Sequence, residues 1–353
     1  MTASHISVSS VRARATRLRR QRGISLIELM IGITIGLVLL TALASLYYAN
    51  SLSRTEFAKA AEQVENGRYA LEQIRREVEL AGFFGVGSIA RGATLAGPAL
   101  CATDPAALGF VAGTTVPLAL AGYAPGVVAP CLPDMSANSE VLVVRRVSTT
   151  PMAAPVPGVP YLQVSACPDD SVSFVFDASA AAAFPLRTKA CDPGMRAELR
   201  QAVVRVFYLA GCDRCTNGGD GIPTLKMAEL VNGAFQARSV AQGVQDMHVR
   251  YGMDLDSNGS ADCYVEDPGA NNAAACAVVP GYDWTNALAN WGNVTTVRVA
   301  VLARTLRPSG GQADNRTYDL GRAMASGPFN DGYKRHVYAQ VARVVNVAGL
   351  REQ

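Results

Sequence analysis

Gly23, Ile24 and Glu28 are the first residues whose type and spacing could do chemistry. Gly23 closes a stretch that carries Arg12, Arg14, Arg17, Arg19, Arg20 and Arg22 and no Asp, Glu or Lys. Behind it an apolar run begins with one acid, Glu28, followed by 20 uncharged residues from Leu29 to Tyr48. As a helix those residues span ~30 Å, the hydrocarbon thickness of a bilayer. The arginines predict a cytosolic leader and an exported remainder. A carboxylate at mid-membrane depth costs roughly 2.5–3.5 kcal/mol, so Glu28 needs a shallow position or a partner. Cleavage after Gly23 would make Glu28 the fifth residue of the product. The helix macrodipole favours it there, and a positive α-amino group, most usefully a neighbouring subunit's, could pair with it. Two plainer readings stand beside this one. Ala42-Leu43-Ala44 offers a secretory cleavage site, after an apolar core longer than the usual ~7–15 residues. An uncleaved signal anchor would keep both leader and helix.

A second candidate is the loop Asp254, Asp256, Asn258, Gly259, Ser260 and Asp262. Its oxygen-bearing residues fall at the first, third, fifth and ninth positions of an EF-hand-like loop, with Gly259 at the sharp turn, and a hard cation such as Ca²⁺ wants such oxygens. Val265 stands where a bidentate Glu is expected, leaving Glu266 or Asp267 as substitutes. The alternative is a polar turn, since Asp-Ser-Asn-Gly is strong turn chemistry.

The third is cysteine. All eight (Cys101, Cys131, Cys167, Cys191, Cys212, Cys215, Cys263, Cys276) follow the apolar segment. An even number confined to the exported part suggests disulfides in an oxidising compartment, and sequence neighbours are taken as the expected pairs: 101–131, 167–191, 212–215 and 263–276. Cys212-x-x-Cys215 could instead be a redox pair, or half of a zinc site with Cys263 and Cys276.

Catalysis finds little support. Beyond the leader the histidines are His248 and His336, each inside a strand-like run, and no G-x-S-x-G, H-E-x-x-H or phosphate-loop pattern occurs. The expectation is a protein that is not an enzyme. Losing six leader arginines takes the formal charge from +3 to −3, so no basic stripe argues for nucleic acid.

The elements that position these residues follow from periodicity. No proline precedes Pro98, which permits one helix from Ile24 to about Ala81, ~85 Å long if unbroken. Phe57, Ala60, Val64, Gly67, Leu71, Ile74, Val78 and Ala81 recur at alternating spacings of three and four, a narrow seam for a coiled coil or for a helix laid on a sheet. Gly82 supplies a C-cap, and Gly32-x-x-x-Gly36 could let apolar helices touch. Residues 85–139 read as loops. Strand-like runs follow at Val141–Val147, Val172–Phe176, Val203–Leu209, Val244–Tyr251, Val294–Leu302 and Val337–Val347. The predicted class is α+β: a hydrophobic then amphipathic spine helix over 24–82, membrane-spanning to about 49, and a β-rich head over 83–353.

Basic leader, Gly23, Ile24 and Glu28 together resemble the class III signal of type IV pilins and pseudopilins, with Ile24 in place of the commoner Phe. That resemblance implies a cleaved leader (1–23), a prepilin peptidase cutting after Gly23 and methylating Ile24, and Glu28 in subunit assembly. GRYALEQIRREVELAGFFG (67–85), YGMDLDSNGSADCYV (251–265), VTTVRVAVLARTLRP (294–308) and DGYKRHVYAQVARVVNVAGL (331–350) further resemble the PilW-type minor pilins. The implied role is structural, in assembly or priming of a type IV pilus. The implied partners are other minor and major pilins, the inner membrane and its assembly platform. The implied location is a bacterial inner membrane, N-terminus cytoplasmic and head periplasmic, and then the fibre. The alternatives are a type II secretion minor pseudopilin and a tip-exposed adhesin or DNA-uptake module.

Overall fold

The computed structural model describes residues 23–85, 89, 92–311 and 313–352; the arginines of the leader lie outside them. The chain divides into two units at Thr55/Glu56, a point inside the long helix α1 (Leu26–Leu80). In the first unit the side chains of the apolar run are exposed, Ile31 at 52% and Leu40 at 63% among them. Its hydroxyls turn inward onto the helix backbone: Thr34 donates to Ile31 O, Thr41 to Leu37 O and Ser45 to Ala42 O. Such bonding gives these three hydroxyls a partner without water.

The second unit holds the remainder of α1 and the head. Its strands are β1 (Thr94–Ala96), β2 (Thr115–Pro117), β3 (Leu120–Tyr123), β4 (Val141–Val147), β5 (Tyr161–Val164), β6 (Phe174–Asp177), β7 (Leu199–Ala210), β8 (Thr224–Val231), β9 (Ala234–Gln242), β10 (Val244–Met253), β11 (Cys263–Val265), β12 (Val294–Arg304) and β13 (Arg335–Arg343). Two short helices, α2 (Ala287–Gly292) and α3 (Val345–Ala348), complete it. One antiparallel sheet runs β11-β10-β12-β13. A larger one runs β3-β4-β7-β5-β6, with β8 and then β9 added alongside β7. β1 and β2 form a separate parallel pair.

Both large sheets turn an apolar face to α1. Ala70, Leu71, Ile74, Val78 and Ala81 join Leu142, Val144 and Phe207 of one sheet and Met247, Val249, Val299 and Val301 of the other in a single core. The opposite face of the seven-stranded sheet is covered too, by Leu100, Leu108 and Leu132 packed on Val141, Val143, Val206 and Tyr208. Burial on both faces explains why β4 reads as an almost unbroken apolar run rather than an alternating one.

The expected helical seam needs correction at its start. Gly67, Leu71, Ile74, Val78 and Ala81 are buried, but Phe57 is 75% and Val64 38% exposed. Polar bonds fix that stretch instead. Gln63 donates to Ala303 O (2.7 Å) and Lys334 O (3.1 Å), and Glu56 accepts from Ser309 and Lys334. The Lys334 bond is the largest cause holding the Glu56 carboxyl down at about 2.

Residues 85–139 are not loop alone: β1, β2 and β3 lie among them. The last expected strand stops at Arg343, and Val345–Ala348 turns into α3. β8 and β9, which form a long hairpin in the head, lie outside the expected strand-like runs. Asn232 (φ 50°) and Gly233 (φ 77°) join them in the left-handed conformation that two-residue hairpins require.

Candidate assembly and bracing sites

Gly23, Ile24 and Glu28 sit together at the start of α1, all exposed. Ser25 caps the helix. Its Oγ accepts from Ile27 N (3.3 Å), while Glu28 Oε2 reaches back to accept from Ser25 N (3.0 Å). This is a reciprocal capping box, with the acid in the first turn where the positive end of the helix dipole lies. The Ser25-x-x-Glu28 spacing is the sequence signal of that box, beyond the role expected of Glu28. A Cβ at Gly32 or Gly36 would meet nothing within 4 Å, so the two glycines open a shallow strip on the helix surface.

In the second unit α1 is clamped by charge as well as packing. Buried Glu77 accepts from Arg146 Nε of β4 (3.1 Å) and pairs with Arg205 of β7, which also meets Glu229 of β8 at 3.1 Å. Removing one member of such a buried network costs roughly 3–5 kcal/mol, because its partners keep their charge. Past the helix end, Gly82 adopts φ +73° and donates to Arg145 O of β4 (3.0 Å).

Asp331 and Arg335 of the 331–350 segment meet in a second brace. Arg335, with no exposed side-chain surface, grips Asp331 through Nη1 and Nη2, each at 2.6 Å, and bonds Asp314 at 3.0 Å. Its guanidinium lies 3.9 Å from the Phe329 ring centre. Tyr318 OH donates to Asp314 (2.8 Å), and that bond helps push the phenol up to about 12 after burial, the larger cause. Arg322 ties the same segment to Glu140 and Asp246. These braces hold segment 313–332 over β12, where Tyr318 and Leu320 cover Ala300 and Leu302.

His248 is 3% exposed and its Nδ1 lies 2.8 Å from Glu140 Oε1. His336 is exposed, its ring 4.8 Å from that of Tyr338. Among the described residues no serine or cysteine hydrogen-bonds either ring.

The eight cysteines form four disulfides in sequence order: Cys101–Cys131, Cys167–Cys191, Cys212–Cys215 and Cys263–Cys276, with Cα separations from 5.2 to 5.7 Å. All four sulfurs of the suggested zinc site are therefore spent in two separate bonds.

In the 254–262 loop, one carboxylate oxygen each from Asp254, Asp256 and Asp262 lies within 4.8 Å of the others. Part of their bonding capacity is met inside the chain. Asp254 accepts from Asn258 N and Gly259 N, Asp256 from Asn258 N, and Asp262 from Leu255 N. Asn258 accepts from Ser260 N at 2.8 Å. The guanidinium of Arg351 lies 3.2 Å from fully buried Asp254. The expected substitutes for a twelfth-position acid are turned elsewhere: Glu266 lies 3.8 Å from His248 Nε2, and Asp267 accepts from Gly269 N. The chain thus supplies one cation, Arg351, to Asp254, while the three carboxylates stay close enough together to face a common point.

Two regions match known families. Residues 207–346 match the family described as Type IV Pilus-assembly protein W, and residues 18–44 match the Prokaryotic N-terminal methylation motif. No curated protein and no solved structure matches the chain. The first region contains β8 to β13 and the Arg335 brace; the second contains Gly23, Ile24, Glu28 and both helix glycines.

Proposed function

We propose that this chain, which is similar to the Type IV Pilus-assembly protein W family over residues 207–346 and to the N-terminal methylation motif over 18–44, works as a minor pilin whose apolar helix enters a type IV pilus assembly while its braced head meets other pilins. The observation that carries the reading is the junction itself. An exposed glycine precedes an exposed apolar helix whose first turn holds one acid, Glu28, in a chain that also contains the PilW region. Assembly is a structural role, and no catalytic residue is assigned. The N-terminal motif suits a type II secretion pseudopilin as well, but the match over 207–346 favours pilus assembly over that role and over an adhesin or DNA-uptake module.

In this reading prepilin peptidase cuts between Gly23 and Ile24 and methylates the new amine. Removal of the leader leaves Ser25 and Glu28 in place, so the cap survives maturation. Glu28 then has capacity to spare: Oε2 serves Ser25 N, while the second oxygen can accept from the amine of a neighbouring pilin. The head stays on the far side of the inner membrane, where its disulfides persist.

The test is Glu28→Ala. The variant should insert in the membrane and lose its leader as the parent does, yet enter sheared pili at less than about a tenth of the parent's level, the loss expected for ~1.4 kcal/mol. Equal incorporation would remove Glu28 from assembly.

A further inference from the structure

Cys212–Cys215 differs from the other three disulfides in its surroundings. Lys226 of β8 is 7% exposed, and its Nζ lies 3.4 Å from Cys215 Sγ. The nearest acid, Asp134, is 3.7 Å from that nitrogen and itself 44% exposed. Among the described residues, this is the one disulfide with a cationic side chain in hydrogen-bonding range of a sulfur. A cation beside a sulfur lowers its thiol pKa, and a thiol of low pKa leaves faster in disulfide exchange.

The bond is also the one the fold needs least. It closes a sequence separation of 3, against 30, 24 and 13 for the others, and a short loop restricts the unfolded chain least. Its loop is held by other means. Asp220 accepts from Asp213 N, Arg214 N and Ile222 N, each at 3.0 Å. Gln242 donates to Asp213 at 2.7 Å, and Arg304 donates to Gly221 O at 2.7 Å. Breaking the S–S bond leaves all of these in place. Both cysteines are half-buried, whereas Cys167 and Cys276 are 5% and 2% exposed.

We propose that Cys212–Cys215 is a reversible thiol–disulfide exchange site, with Lys226 positioning and stabilising Cys215 as the leaving thiolate and a dithiol as the chemical partner. One donor thiolate attacks Cys212 Sγ and forms a mixed disulfide. The Cys212–Cys215 bond breaks, and its electron pair leaves on Cys215 beside the Lys226 ammonium. The donor's second thiol loses its proton to water and attacks the donor sulfur of the mixed disulfide. Cys212 is released as a thiolate that takes up a proton. The donor ends as a disulfide, having supplied two electrons. This inference is independent of the assembly reading, since its readouts are on the head's own thiols.

The experiment uses the full chain in detergent micelles, equilibrated with graded ratios of reduced to oxidised dithiothreitol, quenched with N-ethylmaleimide and mapped by peptide mass. Cys212 and Cys215 should open at a ratio at least about tenfold below that of any other pair. In the reduced protein, Cys215 should react with iodoacetamide with a midpoint below pH ~7.5. Lys226→Met should raise that midpoint towards ~8.5, and Lys226→Arg should keep it low. Opening together with or after the other disulfides overturns the proposal, as does a midpoint the Met variant leaves unchanged. If the Met variant does not fold, a wild-type midpoint near ~8.5 overturns it equally.

Discussion

Asp254 is the buried carboxylate on which both readings of the 254–262 loop, polar turn and cation site, depend. It has no exposed surface, so its charge must be met nearby, and Arg351 meets it while also donating to Gly292 O at 3.0 Å. A Cβ at Gly259 would lie 2.5 Å from Glu352 Cγ and 3.1 Å from Ala348 O, which explains glycine at that position beyond its φ of +86°. We expect millimolar Ca²⁺ to leave the melting temperature of the head unchanged. Arg351→Ala should lower its stability by about 3 kcal/mol, since an uncompensated charge would remain buried. A melting temperature that rises with Ca²⁺ in the parent protein would contradict this account. The acid spacing was visible in the sequence. The closing cation was not, because Arg351 lies 97 residues from Asp254 and nothing local announces their meeting. Glu77 was hidden for the same reason: its partners Arg146 and Arg205 come from β4 and β7.

At the scale of elements, the sequence was most legible where one periodicity ran long. An apolar run without proline marks α1, and its expected end near Ala81 lies one residue from the observed Leu80. β4 begins and ends where its valine-rich run does, and β10 and β12 start at the expected residues. Short strands inside Gly- and Ala-rich sequence had no such period, so β1 to β3 merged with loop. The β8–β9 hairpin was legible in principle. Asn232-Gly233 is a strong hairpin signal, but β9 is half exposed and mixed in composition, Ala-Phe-Gln-Ala-Arg-Ser-Val-Ala-Gln, so its flanks lack a clear alternation.

Gly67 tests the packing of α1 within the head. A Cβ there would lie 2.5 Å from two Tyr338 ring atoms and 3.3 Å from Ala303 Cβ. Gly67→Leu should therefore destabilise the head by about 3 kcal/mol through overpacking, a loss that the better helix propensity of Leu does not cancel. Gly36→Ala, with open space around it, should leave the melting of the head unchanged. Thermal unfolding of both variants by circular dichroism distinguishes them; equal stability of Gly67→Leu and the parent would remove the close approach at Tyr338.

Over the whole molecule the two units differ in what they leave exposed. In the first, the run from Ile24 to Tyr48 exposes mostly apolar side chains with Glu28 its one charged residue, a surface that suits lipid or other helices. In the second, paired charges and four disulfides stabilise a head whose sheets are closed over by α1 on one side and by loop segments on the other. Charge follows the same division, since the six arginines of the leader account for the basic balance of the full chain. The proposed assembly role depends on cleavage between Gly23 and Ile24. Intact-mass and N-terminal peptide analysis of the protein purified from membranes of cells that contain prepilin peptidase measures that directly. The expected product is a chain beginning at N-methylated Ile24 with its apolar helix retained. A chain beginning at Ser45, or one still carrying Met1 to Gly23, would contradict it.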